Sequence, residues 1–104
     1  MEPGNVLHIE SLNTGWRDKD DVLLHASFQI LKNCIEKENL LNDNIDWNAD
    51  DKHKDARAEL IALYEWWLSH VEKDDGVSTP GPEQYVEQDE MLIRLIRVRW
   101  ALWT

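Results

Sequence analysis

Cysteine is nearly missing from this chain. Cys34 stands alone, so no intrachain disulfide framework can exist, and a thiol in a strongly helical stretch reads as a buried small hydrophobe in a reducing compartment. Positive charge is scarce: 11 Lys and Arg stand against 21 Asp and Glu, for a formal net charge of −10. Affinity for nucleic acid comes from neutralising phosphates with cations, so this balance argues against direct DNA binding. Long apolar runs are also missing. No segment approaches the roughly 20 residues of a membrane span, and MEPGNVLHIE has neither the basic start nor the apolar stretch of a secretory leader. Glycine and proline number only four and three, and they cluster near the start and around VSTPGP, which leaves the rest of the chain free to be regular.

Enzyme signatures are lacking as well. His8, His25, His53 and His70 share no metal-ligand spacing with one another or with Cys34, so no zinc site is expected. Ser11, Ser27, Ser69 and Ser78 have no nucleophile-elbow context, and there is no Gly-rich phosphate loop. Nothing amounts to a complete catalytic apparatus, and neither a cofactor nor a metal is expected.

What is present is helical periodicity. Residues 1–19 mix Pro3, Gly4, Asn13 and Gly15 with Val6, Leu7, Ile9 and Leu12, which reads as an irregular arm with room for a short strand. The bundle domain spans residues 20–104. Leu24, Phe28, Leu31 and Ile35 recur at four, three and four residues, predicting a first helix from about Asp20 to Leu41. Asp18, Asp20 and Asp21 offer N-cap oxygens and complement its dipole. NDNIDWNADD is a connector in which Ile45 and Trp47 can plug back onto the core. A second helix over about 51–74 carries Ala56, Leu60, Leu63, Trp67 and Val71 on one stripe. A third starts at Pro82 and runs to Leu102, with Ile93, Ile96, Trp100 and Trp103 as the stripe and Leu92, Leu95 and Leu102 widening it. The expected fold is all-α, a compact three-helix bundle with an irregular N-terminal arm.

Six tryptophans, at 16, 47, 66, 67, 100 and 103, are many for 104 residues, and buried aromatics anchor both cores and interfaces. Trp67, Trp100 and Trp103 lie on the stripes. Trp66 cannot share the centre of a face with Trp67, since adjacent helical residues point about 100° apart; it is placed on a shoulder open to a partner or a second protomer. Trp66, Glu65, Trp47, Asp50 and Asp51 together form the candidate partner-binding set: aromatic anchors among steering carboxylates. Arg94, Arg97 and Arg99 beside Trp100 form an alternative nucleotide-binding set, weighed against plain dipole complementarity and a Glu90–Arg94 pair. The helical acids Glu36, Glu38, Glu59, Glu65, Glu87, Asp89 and Glu90 raise a further alternative, convergence on Mg²⁺, though no EExxE or HExxH spacing accompanies them.

FQILKNCIEKE (Phe28 to Glu38), IDW (Ile45 to Trp47), LYEWW (Leu63 to Trp67) and DEMLIRLIRVRWALWT (Asp89 to Thr104), taken in order, resemble a group of small hypothetical proteins encoded by tailed bacteriophages. The likeness covers most of residues 20–104. It implies a viral origin and a bacterial host cytoplasm, without an activity. Many such proteins carry a longer insertion after LYxWW, where this chain has only Asp74 to Gln84. The leading expectation is therefore an acidic phage accessory protein that inhibits or redirects a host protein with a basic surface. The alternatives are a nucleotide sponge, a Mg²⁺-dependent all-α nucleotide pyrophosphohydrolase, and a virion or packaging component.

Overall fold

In the computed structural model, residues 7–12, 19–41, 46–73 and 81–102 are described. Three helices form the bundle: α1 (Lys19–Glu36), α2 (Asp51–Lys73) and α3 (Pro82–Val98), the last continued by one 3₁₀ turn, Arg99–Ala101. The described residues contain no strand, and the arm at 7–12 instead holds a turn closed by the Leu12 N–H on the Ile9 carbonyl at 3.3 Å. The readings at Trp16, Ile45, Trp103 and the connector 74–80 fall outside the described residues.

The path alternates in direction. Tyr85, near the start of α3, donates its hydroxyl to Asp20 at the start of α1 (2.8 Å), and the Cys34 thiol late in α1 reaches the Leu102 carbonyl just past α3 (3.8 Å). α1 and α3 are therefore parallel. α2 runs against both, because its late residues Trp66 and Trp67 pack on Phe28 of α1, the second stacked, while its early His53 meets Trp100 edge-on.

Helix ends follow local chemistry. α1 stops at Glu36, five residues before the periodicity predicts, because Asn39 takes a left-handed conformation (φ 53°) that few side chains other than asparagine tolerate. The reversal lets the Leu40 N–H bond the Cys34 carbonyl at 2.9 Å, and Leu40 folds back into the core instead of extending the helix. α2 begins on Asp50, whose Oδ1 accepts the His53 N–H at 2.8 Å, an N-cap bond to the third helical residue. α3 opens on Pro82, with the Gln84 side chain accepting the Gly81 N–H at 2.8 Å, the reciprocal half of a capping box.

Leu24, Phe28 and Leu31 of α1 and Ala56, Leu60, Leu63 and Trp67 of α2 are buried, as their spacing predicts. α3 corrects the reading. Its buried residues are Met91, Leu95 and Val98, whereas Ile93 and Ile96 are 47% and 60% exposed. Both sets repeat at three and four residues, so periodicity alone does not choose between them. Trp67 is the centre of the core: it stacks on Phe28 at 5.0 Å and receives the edge of His25 at 4.9 Å. Cys34 is buried and free, and burial pushes its thiol up to about 11.

Two polar side chains are also buried, His25 and Gln29, each 1% exposed. The arm covers them. Ser11 Oγ lies 2.6 Å from His25 Nδ1, and the Glu10 N–H donates to Gln29 Oε1 at 3.0 Å while Gln29 Nε2 donates to Asn33 (2.9 Å). Lys32 closes the strap with a 2.7 Å bond to Glu10, which holds that carboxyl below its usual range. Buried polar groups need such partners, since an unmet one costs about 1–3 kcal/mol.

Candidate functional site

α2 and α3 meet along a regular antiparallel seam. His53 contacts Trp100, Glu59 pairs with Arg94, and Trp66 bonds Glu87, so each step of six or seven residues up α2 matches an equal step down α3. Seven residues are nearly two helical turns, which keeps these pairs on facing sides over the length of the contact.

Arg94 closes on Glu59 with two bonds, one from Nε to Oε2 at 2.9 Å and one from its terminal nitrogen to Oε1. The paired guanidinium holds the Glu59 carboxyl below the usual carboxylate range. Arg94 thus spans to α2 instead of pairing with Glu90 on its own helix. Trp100 lies under the Lys52 ammonium (4.3 Å) and against His53. Residues 52 and 59 are roughly 10 Å apart along α2, so Arg94 and Trp100 address separate places. Arg97 and Arg99 are exposed. The four-residue nucleotide cradle is not assembled here, because Arg94 is already bound to a carboxylate.

The candidate partner-binding set also divides. Trp47 takes the core position expected of it and not the partner-binding one, which is corrected: it is 6% exposed, and its indole N–H is satisfied by the Leu40 carbonyl at 3.2 Å. Asp50 is exposed but occupied as the α2 cap, and the His53 side chain and N–H bonding it hold its carboxyl low. Asp51 is exposed in the same first turn, and Glu65 is exposed some 20 Å further along the helix. Trp66 sits half-buried on the shoulder, its ring against Phe28 (5.2 Å) and stacked on His70 (4.9 Å), its Nε1–H donating to Glu87 at 3.1 Å.

This last bond belongs to a pattern that spacing did not reveal. Three carboxylates on the surface are held by uncharged aromatic donors from another helix: Glu87 by Trp66, Glu36 by the Tyr64 hydroxyl, and Asp20 by the Tyr85 hydroxyl. A neutral donor orients a carboxylate without cancelling its charge. Glu36 in turn pushes the Tyr64 hydroxyl up to about 12. The available signal was aromatic residues with polar ends at stripe margins, Tyr64, Trp66 and Tyr85, opposite acids on neighbouring helices. The exposed acids Glu38, Asp46, Asp55, Glu65, Glu72, Glu83, Asp89 and Glu90 add to the same field. The result is an anionic exterior with several fixed points.

Among the described residues no three His, Cys, Asp or Glu side chains are grouped to hold a metal ion, and of the helical acids Glu36, Glu59 and Glu87 accept from Tyr64, Arg94 and Trp66 respectively. No helix of the described residues is long and apolar enough to cross a membrane. Comparison with family models, curated proteins and solved structures finds no match to this chain.

Proposed function

We propose that the chain is a binding protein whose anionic exterior docks on the basic surface of another protein. The observation that supports it is the set of carboxylates held by neutral donors, Asp20, Glu36 and Glu87, on a chain of net charge −10. Oriented negative charges at fixed spacing are what a cationic, phosphate-reading surface recognises, and a long-range field of this sign speeds encounter with it. With the resemblance to tailed-phage proteins, the reading becomes an accessory protein that occupies a host nucleic-acid-processing or defence protein. Such a partner would be competed for by DNA, and the complex would weaken as salt screens the charges.

The test is affinity capture from bacterial lysate with the wild-type chain and with a Asp20→Asn, Glu36→Gln, Glu87→Gln variant. These changes keep acceptors for the aromatic donors and remove charge. The proposal requires a DNA-binding protein that the wild type retains at low salt, that added DNA displaces, and that the variant loses. Equal retention by both forms, or indifference to DNA and salt, refutes it.

A further inference from the structure

We propose that the outward face of α3 pairs with the same face of a second copy, antiparallel, across a two-fold axis at Ile93. The face is distinct from the Trp66 shoulder and does not depend on the function proposed above. Val86, Ile93 and Ile96 are 58%, 47% and 60% exposed and lie opposite the buried Met91, Leu95 and Val98. Single exposed apolar residues are ordinary on a protein surface. Here three large branched ones fall in line at separations of seven and three, the spacing of a second helix–helix seam.

The charges beside this stripe identify its occupant. Glu83, Glu90 and Arg97 recur every seven residues along one margin, all exposed, with the acids toward the start of the helix and the base toward its end. Among the described residues Arg97 makes no ion pair within the chain, whereas Arg94 does. A two-fold interface must be self-complementary: if one residue meets another, the reverse contact is made as well. Antiparallel pairing about Ile93 sets residues before the axis against residues after it. Glu90, three before, meets Arg97, four after, in the second copy, and symmetry makes this ion pair twice. In parallel two-fold pairing this margin would face the opposite margin of the second helix, so Glu90 and Arg97 would not meet.

The contact is narrow. A helix of 17 residues is about 25 Å long, and one such rod against another buries less than the ~1,200 Å² of standard stable interfaces. The dimer is therefore weak and concentration-dependent.

Sedimentation equilibrium on the full chain at physiological ionic strength, from low to several hundred micromolar, tests this. The expected result is a monomer–dimer equilibrium in the wild type and a monomer throughout in Ile93→Glu, with the Ile93→Glu helical spectrum and dilute-solution melting temperature close to wild type. Arg97→Glu and Glu90→Arg should each be monomeric, and their equimolar mixture should recover the dimer, because both reciprocal pairs are rebuilt only in the mixed species. A wild type that stays monomeric at the highest concentration overturns the proposal and leaves the face to a different partner. A dimer that survives Ile93→Glu, or a mixture that does not associate, overturns it equally.

Discussion

Leu95 and Ile96 are neighbours of similar size and opposite fate, and substituting each by alanine tests the orientation of α3. Leu95 is 5% exposed. Alanine there removes about three buried carbons, about 2.4 kcal/mol at ~0.8 per methylene. An incompletely collapsed cavity of some tens of Å³ adds about 0.5–1 kcal/mol. The expected loss is about 3 kcal/mol. Ile96 is 60% exposed, so less than half of its transfer energy is at stake, about 1 kcal/mol. Alanine's better helix propensity returns a few tenths, leaving about 0.5 kcal/mol. Urea unfolding followed by far-ultraviolet circular dichroism at low protein concentration reads both values. With a slope of roughly 1–3 kcal/mol per molar, the Leu95→Ala midpoint should fall by a molar or more while Ile96→Ala moves little. Comparable losses at the two positions would mean that α3 is turned by about one residue about its axis, and the seam from Trp66–Glu87 to His53–Trp100 would be wrong.

Other outcomes follow from single contacts. The Glu59 carboxyl is held below its ordinary value of 4.5 by Arg94, so its contribution is present above that value and lost as pH falls through the lowered folded-state value. The pair is partly exposed, so Glu59→Gln should lower stability at neutral pH by only about 1 kcal/mol and flatten the acid limb of a stability–pH curve; an unchanged acid limb contradicts the assignment. Cys34, with its thiol pushed up to about 11 and buried, should react with a thiol reagent only as fast as the protein opens, and reaction of the native protein at the rate of the denatured chain would show the core misplaced. Asp50→Ala removes the α2 cap and should cost about 1 kcal/mol, with Asp51→Ala, in the first turn beside it, as the milder control in the same melting experiment.

The fold class was legible because α1 and α2 each carry one continuous apolar stripe at helical spacing, although Leu23 and Ile30 of α1 and Leu68 of α2 lie exposed off it. Leu24, Phe28 and Leu31, like Leu60, Leu63 and Trp67, form the repeating set that is buried. α3 is different: Leu92, Ile93, Leu95, Ile96 and Val98 put apolar residues on two faces. The inward one is fixed by contacts with α2, including Arg94 reaching Glu59 across a separation of 35 residues. The end of α1 was hidden by Leu40 and Leu41, which prolong the periodicity past the point where Asn39 reverses the chain. The candidate site was legible only in its composition. Excess acid and tryptophan were visible, but the donors of Glu36, Glu87 and Asp20 lie 28, 21 and 65 residues away, separations on which local spacing is silent. Trp47 lies on the core, where the connector reading put it, and not among the partner-binding residues; the carbonyl that satisfies its N–H belongs to Leu40, a residue the helical reading had placed within α1.

The strap at 7–12 ties the tolerance of one stretch of chain to the composition of another. His25 and Gln29 face inward on α1, and the contacts that accommodate them come in part from Glu10 and Ser11. A shortened protein starting at Lys19 would keep every leucine of its interior yet lose the Ser11 and Glu10 contacts, leaving the His25 imidazole to Asp21 and the Gln29 carboxamide to Asn33 on their own helix with their cover removed. Replacing both side chains by apolar ones of matching shape would be the change that makes such a trimmed bundle self-sufficient.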